Sequence, residues 1–170
     1  SLLRLEALSK RFGDYWALKE IDFSLEEGEI VGLVGPNGAG KTTLFNLITG
    51  RHKPNAGRVF FGDKDITSCK PHEIQRLGIS RTFQSSRPFA KMSVLENVVV
   101  GRIFSGEFHL FARSTDIETA RQLLQIVGLS HKVDAVAGEL TLSEQRRLDL
   151  ARALATEPKL LLLDEVVAGF

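Results

Sequence analysis

Apolar and polar residues alternate over residues 3–7 and again over residues 20–25. A period of two is typical of half-buried strands in antiparallel sheets. Residues 30–34 are instead almost uniformly apolar, and a short run of this kind predicts a strand that is buried on both faces. We therefore expect residues 2–34 to be rich in β-structure.

Glycine and proline punctuate the elements that follow. A strand over residues 58–61 is bracketed by glycines, which indicates a hairpin. Pro71 is suited to the first turn of a short helix, and the glycine after Leu77 stops that helix. Residues 79–83 then predict another strand.

The middle of the chain has a helical pattern. Ser93 and Glu96 form a capping box that starts a helix running to about Arg102. Residues 103–114 have no clear period and predict a loop. A second helix, ended by a glycine, follows. Its apolar face comprises Ile117, Ala120, Leu123, Leu124 and Val127.

A third helix is predicted over residues 143–156, because Pro158 cannot continue it. Residues 160–163 are all leucine and predict a fully buried strand. Asp164 and Glu165 close this strand, which therefore delivers two neighbouring carboxylates at its end.

The segment between the apolar run 30–34 and the next helix fits the pattern G-x-x-x-x-G-K-[ST]. A glycine-rich turn between strand and helix lets several backbone N–H groups converge on phosphate oxygens, and the helix N-terminus adds positive potential. Lys41 can then reach the terminal phosphates, and Thr42 can offer its hydroxyl to Mg²⁺. The predicted nucleotide-contacting residues are Gly35, Pro36, Asn37, Gly38, Ala39, Gly40, Lys41, Thr42 and Thr43.

The carboxylates at the end of the leucine strand are natural partners of a phosphate loop. Asp164 can hold Mg²⁺, and Glu165 can act as the base that polarises a water for attack on the γ-phosphate. Gln84, at the end of the strand predicted over residues 79–83, can ligate Mg²⁺ or the attacking water. The predicted cofactors are therefore ATP and Mg²⁺, with Lys41, Gln84 and Glu165 as the catalytic residues.

These elements predict an α/β protein with a P-loop NTPase core, a mixed β-sheet, an N-terminal antiparallel β part and an inserted helical subdomain. We expect the β part and the P-loop core over residues 1–85, the helical subdomain over residues 86–156, and a strand that returns to the core over residues 157–170. Of the 170 residues, 43% are hydrophobic and 25% are charged, and the formal net charge is +1. This balance gives no basic stripe, so we expect no nucleic-acid partner.

The order of these motifs resembles the ATP-binding subunits of ABC transporters over essentially the whole chain. The segments 78–84 and 92–97 are most similar to the branched-chain amino-acid uptake subgroup. The resemblance implies that Phe12 stacks on adenine, with Tyr15 and Trp16 close by as alternatives. It also implies that Thr141 and Ser143 belong to the signature segment, which reaches the γ-phosphate bound by a partner subunit.

Two departures from the family pattern affect these expectations. The signature Leu-Ser-Gly-Gly-Gln is replaced here by Leu140-Thr141-Leu142-Ser143-Glu144, which lacks both glycines. In the family, a D-loop and a switch histidine would follow Phe170. We therefore expect an ATPase domain that is incomplete at its C-terminus, poorly active alone and unable to form a stable ATP-dependent homodimer.

The leading functional hypothesis is an ATP-hydrolysing subunit that powers an importer of branched-chain or related amino acids. Its implied partners are a second ATPase subunit and transmembrane permease subunits, whose coupling helix would dock near residues 84–92. Its implied location is peripheral, on the cytoplasmic face of the cell membrane. Two alternatives remain open: a non-transport ABC ATPase that acts on nucleic acid or ribosomes, and an assembly module gated by nucleotide binding alone.

Overall fold

A computed structural model describes residues 1–82, 88–103 and 112–164 of the chain. The chain divides into two compact units, Ser1–Leu77 and Gly78–Phe170. The first unit is built around an antiparallel sheet, and the second combines a helical bundle with a short parallel sheet.

The sheet of the first unit has four strands in the order β2-β1-β3-β4. The strands are β1 (Leu3–Phe12), β2 (Tyr15–Leu25), β3 (Ala56–Phe61) and β4 (Lys64–Asp65). β1 pairs with β2 and with β3, both antiparallel, and bulges interrupt each register. The N-terminal antiparallel part and the hairpin over residues 58–61 are therefore confirmed.

Two helices complete the first unit, α1 (Lys41–Ile48) and α2 (Pro71–Arg76). Pro71 begins α2 as predicted, and the glycines that follow α1 and α2 have positive φ, which suits the residue after a helix end. The core combines apolar residues of the sheet with those of both helices. It comprises Leu3, Leu5, Leu8, Leu25, Leu47, Ile48, Val59, Phe61, Ile66 and Ile74.

The prediction of a buried strand over residues 30–34 is wrong. These residues are outside any strand, and Ile30 and Val34 have relative exposures of 100% and 95%. A strand that is buried on both faces needs a paired strand at its side and covering layers above and below it. Among the residues that the structure describes, no strand pairs with this segment.

The second unit packs three helices together, α3 (Val94–Ile103), α4 (Ser114–Ile126) and α5 (Leu142–Ala155), with short 3₁₀ turns at Ser130–Lys132 and Ala137–Glu139. The predicted helices and their ends agree with these bounds to within one or two residues. Ile117, which was predicted to lie on the apolar face of α4, is instead 39% exposed and lies outside the core. That core comprises Val94, Val98, Ala120, Leu124, Val127, Leu129, Ala137, Leu140, Leu148, Ala151 and Ala155. Of the loop predicted over residues 103–114, residues 104–111 lie outside the described residues.

Two short parallel strands, β5 (Ile79–Arg81) and β6 (Leu160–Leu162), form the sheet of the second unit. Their carboxyl ends meet at one edge, since Arg81 is in register with Leu162. The leucine strand is less buried than predicted, because Leu163 is 44% exposed and follows the end of β6. A two-stranded sheet leaves part of each strand without a covering neighbour.

An acidic side chain in the first turn caps the N-terminus of four helices. Glu73, Glu96, Asp116 and Glu144 each accept a hydrogen bond from the backbone N–H three residues earlier, at 2.6, 2.7, 2.9 and 2.9 Å. The predicted capping box at Ser93 is confirmed, since the Ser93 hydroxyl accepts from the Glu96 N–H at 3.1 Å. Each bond satisfies a donor that would otherwise lack an intrahelical partner.

These caps predict a specific loss of stability in acid. The backbone N–H bonds from Ser93 and Thr141 hold the pKa of Glu96 and of Glu144 below the usual carboxyl value. A lowered pKa stabilises the fold above about pH 4.3, and this stabilisation is lost as the pH falls through the folded-state pKa. In urea denaturation between pH 7 and pH 3, Glu96→Gln should therefore lose less stability than the wild type. Glu118→Gln, an exposed substitution on α4, should follow the wild-type pH dependence, and equal slopes for Glu96→Gln and the wild type would contradict the assignment.

The start of α1 depends on a glycine pressed against β2. Gly40 has φ of 91°, and a Cβ atom there would lie 2.5 Å from the Ala17 carbonyl oxygen. We expect Gly40→Ala to lower the free energy of unfolding by more than about 1 kcal/mol, because it combines backbone strain with a clash. Gly32→Ala is the matched control, since nothing lies within 4 Å of its Cβ position. Equal urea midpoints for both variants would show that this contact is not needed.

Candidate nucleotide-binding site

The predicted phosphate loop is an exposed turn that leads directly into α1. The Ala39 N–H donates to the Pro36 carbonyl at 3.1 Å, which forms the turn, and Gly40 then reverses the backbone in the left-handed region. α1 begins at Lys41, so Thr42 and Thr43 lie in its first turn. The N–H groups of a first turn have no intrahelical acceptor and point towards the loop. This geometry suits an anion with several oxygens.

Lys41 folds back over the loop that precedes it. Its Nζ donates to the Pro36 carbonyl at 2.8 Å and to the Gly35 carbonyl. The ammonium group is therefore held by neutral oxygen atoms of the same loop at the position where phosphate is predicted to bind. A phosphate group is a stronger acceptor than a carbonyl because of its charge, so it can take over these bonds.

Tyr15 touches the phosphate loop, and Phe12 lies beside it in the sheet. The Tyr15 hydroxyl donates to the Gly38 carbonyl at 3.2 Å, and its side chain is otherwise exposed. Phe12 is the cross-strand partner of Tyr15 and is 45% exposed, with an edge contact to His52 at 5.5 Å between ring centroids. Trp16 is also half exposed and lies near the Arg11 guanidinium. An exposed aromatic pair thus stands next to the loop, and of its two members Tyr15 contacts the loop.

The second unit holds the predicted metal-binding carboxylate. Asp164 forms an ion pair with Arg81, with 2.6 Å between Arg81 Nη2 and Asp164 Oδ2, and the Asp164 backbone N–H donates to Thr82 Oγ1 at 3.3 Å. The sequence interpretation missed Arg81, although a basic residue at the end of one strand and an acid at the end of its parallel neighbour were a usable signal. Gln84 and Glu165, the other two predicted residues of this region, lie outside the described residues.

The signature segment forms the start of α5. Thr141 is the N-cap, its hydroxyl accepts from the Glu144 N–H at 3.3 Å, and Ser143 lies in the first turn. The Glu144 carboxylate accepts from the Thr141 backbone N–H and hydroxyl and pairs with Lys132 at 3.5 Å. Glu144, which stands where the signature has its glutamine, is therefore engaged within its own chain as a helix cap.

Oxygen atoms are the ligands that Mg²⁺ prefers, and a magnesium ion bound to nucleotide needs only one or two of them from the protein. The exposed Thr42 hydroxyl and the Asp164 carboxylate are donors of this type. Each of these donors suits Mg²⁺ by its chemistry, and they belong to different compact units, Thr42 to the first and Asp164 to the second. Within the described ranges, no group of three or more His, Cys, Asp or Glu residues is placed to hold a metal ion.

Within the residues that could be placed, no helix has both the length and the apolar character that a bilayer crossing requires.

Known proteins are similar to this chain over nearly its whole length. The family described as "ABC transporter" matches residues 18–168. A probable branched-chain amino acid transport ATP-binding protein, LivG of Methanocaldococcus jannaschii, is 40% identical over 99% of this chain and 69% of its own length. An ATP-binding cassette of an ABC transporter, crystallised in its ADP conformation, superposes with a TM-score of 0.85 at 39% identity, over 99% of this chain and 70% of that one.

A second solved structure is that of a dimeric ATP-binding cassette in a post-hydrolysis state, bound to ADP and phosphate. It has a TM-score of 0.86 at 26% identity and covers 99% of this chain and 75% of that one. These cassettes confirm the predicted α/β P-loop NTPase fold. With a matching family profile over most of its length and relatives at 40% identity, the chain belongs to the ABC transporter family.

Proposed function

We propose that this chain binds and hydrolyses ATP as the energising subunit of an ABC importer for branched-chain or related amino acids. The observation that carries the proposal is the phosphate loop, in which Lys41 and the first turn of α1 converge beside exposed aromatic rings. The substrate class is inferred from the relative in Methanocaldococcus jannaschii, whose name assigns it to branched-chain amino acid transport.

Phosphate binding would exchange one set of acceptors for another. The Lys41 ammonium now donates to the Gly35 and Pro36 carbonyls, and the β- and γ-phosphates would replace them. Because the new bonds join opposite charges, they are stronger than bonds to neutral carbonyls. The N–H groups from Gly38 to Thr43 would surround the same phosphates, since the helix N-terminus favours negative charge.

Two side chains would hold Mg²⁺: Thr42 through its hydroxyl and Asp164 through its carboxylate. When bound, the ion neutralises charge on the phosphate oxygens. Glu165 is the proposed base, because a carboxylate within reach of a water can take its proton as the water attacks. Gln84 is proposed to orient that water or to complete the metal shell.

The adenine ring is proposed to stack on Phe12. The ring of Phe12 is half exposed at the end of β1, and stacking of a base on an aromatic side chain is worth about 1–3 kcal/mol. The Tyr15 hydroxyl donates to the Gly38 carbonyl, so Tyr15 would stand between the proposed adenine and phosphate positions. Its place on the neighbouring strand makes it the natural second contact of the nucleoside.

The implied assembly has two ATPase subunits and a pair of permease subunits. The dimeric cassette bound to ADP and phosphate supports pairing of two such chains. In that arrangement Thr141 and Ser143, at the start of α5, would face the nucleotide of the partner subunit. The chain would then work as a peripheral subunit on the cytoplasmic face of the membrane.

Removing the Lys41 ammonium should weaken ATP binding by more than about tenfold, or about 1.4 kcal/mol, because a charge-assisted bond to phosphate is lost. Isothermal calorimetry of Lys41→Ala measures this directly. Lys53→Ala is the matched control, since the Lys53 Nζ also donates to a backbone carbonyl of the same unit, that of Cys69 at 2.8 Å. Lys53→Ala should bind ATP like the wild type, and equal affinities for all three proteins would refute the phosphate-loop assignment.

Substitutions of Glu165 and Asp164 should have different effects on ATP binding and hydrolysis. Glu165→Gln should keep Mg²⁺-dependent ATP binding but release phosphate at least about a hundredfold more slowly, because Gln cannot accept a proton. Asp164→Asn should instead reduce the gain in ATP affinity that Mg²⁺ brings. The measurements are phosphate release at high protein concentration and ATP affinity with and without Mg²⁺. Identical phenotypes would rule out separate base and metal roles.

A further inference from the structure

The carboxylate proposed to bind Mg²⁺ already has a positive partner inside the protein. Arg81 and Asp164 are 2.6 Å apart at their closest nitrogen and oxygen atoms, and their side chains are only 5% and 10% exposed. Arg81 ends β5, and Asp164 lies just beyond the end of β6, so the pair closes the edge where both parallel strands finish. The sheet itself therefore fixes the distance between the two groups.

The backbone around the pair is also tied across the two strands. The Thr82 N–H donates to the Leu162 carbonyl at 3.0 Å, and the Asp164 N–H donates to Thr82 Oγ1 at 3.3 Å. These bonds hold the residue after Arg81 against the residues that lead to Asp164. The ion pair is therefore part of a fixed arrangement and not a contact between two mobile surface side chains.

Burial gives this pair a larger effect than an exposed ion pair would have. A buried carboxylate is costly without a partner, and a guanidinium group remains charged at any ordinary pH. Arg81 thus supplies a counter-charge that holds the Asp164 carboxylate in place. A magnesium ion on the same carboxylate would add two positive charges next to the guanidinium, and like charges repel strongly where water is excluded.

We propose that Arg81 is an internal counterion that competes with Mg²⁺ for Asp164, and that it thereby limits how much the metal strengthens nucleotide binding. This inference rests on the proposed role of Asp164 as a metal ligand. Arg81 acts through Asp164 and is a positioning residue. Metal binding must either displace the guanidinium or tolerate its charge, so nucleotide binding and the Arg81–Asp164 contact are coupled.

A purely structural ion pair makes a different prediction. Loss of such a pair destabilises the protein, because it leaves a buried charge without a partner, but it does not change the balance between metal-bound and metal-free nucleotide. The informative quantity is therefore the metal enhancement ratio, defined as the dissociation constant of ADP in EDTA divided by that in excess Mg²⁺. Formation of Mg·ADP in solution is common to all variants and cancels when their ratios are compared.

The experiment measures this ratio by calorimetry for the full chain and for variants at position 81. Arg81→Met removes the charge and keeps much of the side-chain length, and Arg81→Gln removes the charge while retaining a hydrogen-bond donor. The ratio should rise at least about fivefold in each, which is the scale of coupling between linked sites. Arg81→Lys keeps a positive charge and should stay close to the wild-type ratio. If Arg81→Met does not fold, Arg81→Gln makes the same comparison.

The matched control is Arg102→Met, because Arg102 also forms a largely buried pair in the same unit, with Asp116 at 3.6 Å. Arg102→Met should lower the unfolding temperature in EDTA but leave the ratio unchanged. Unchanged ratios in both neutral variants at position 81 would overturn the inference, even if those variants are less stable. If the wild-type chain bound no ADP in either condition, the proposed function would fail and this inference with it. Binding without a change in ratio would remove only the role of Arg81.

Discussion

The contact between Gly40 and β2 determines where α1 begins and so where its free N–H groups point. A side chain at this position would collide with the Ala17 carbonyl and with Leu18, so only glycine lets the loop pass this close to the sheet. The left-handed backbone of Gly40 then turns the chain into the helix. Lys41 follows as the first helical residue, which places its ammonium group back over the loop. The geometry of the proposed phosphate site is thus a consequence of one close backbone approach.

The charged side chains proposed to bind ligand each have a partner within the protein. In the first unit, the Lys41 ammonium donates hydrogen bonds to carbonyl oxygens of the predicted phosphate loop. In the second unit, the Asp164 carboxylate forms an ion pair with the Arg81 guanidinium. In the proposed function, ligand binding would exchange these partners, and its net free energy would be the difference between two sets of bonds. At Asp164, affinity could then be tuned through Arg81 without any change to the residues that would touch the ligand.

Features encoded over a few residues could be predicted from the sequence. The capping box of Ser93 and Glu96, the start of α2 at Pro71 and the glycine-rich loop before α1 all depend on neighbours within one turn. Features that depend on distant residues could not. The exposure of residues 30–34 follows from the lack of a pairing strand, and the Arg81–Asp164 pair joins residues far apart in the chain. The contact of Tyr15 with Gly38 likewise requires the hairpin to be folded.

The central claim is that the loop from Gly35 to Thr43 binds the phosphates of a nucleotide. A titration of the ¹⁵N-labelled chain with ATP and Mg²⁺, followed by amide chemical shifts, tests this claim most directly. We expect the largest shifts at Gly38, Gly40, Lys41 and Thr42, whose N–H groups line the turn and the start of α1. Saturable ATP binding that leaves these four amides unmoved would contradict the claim.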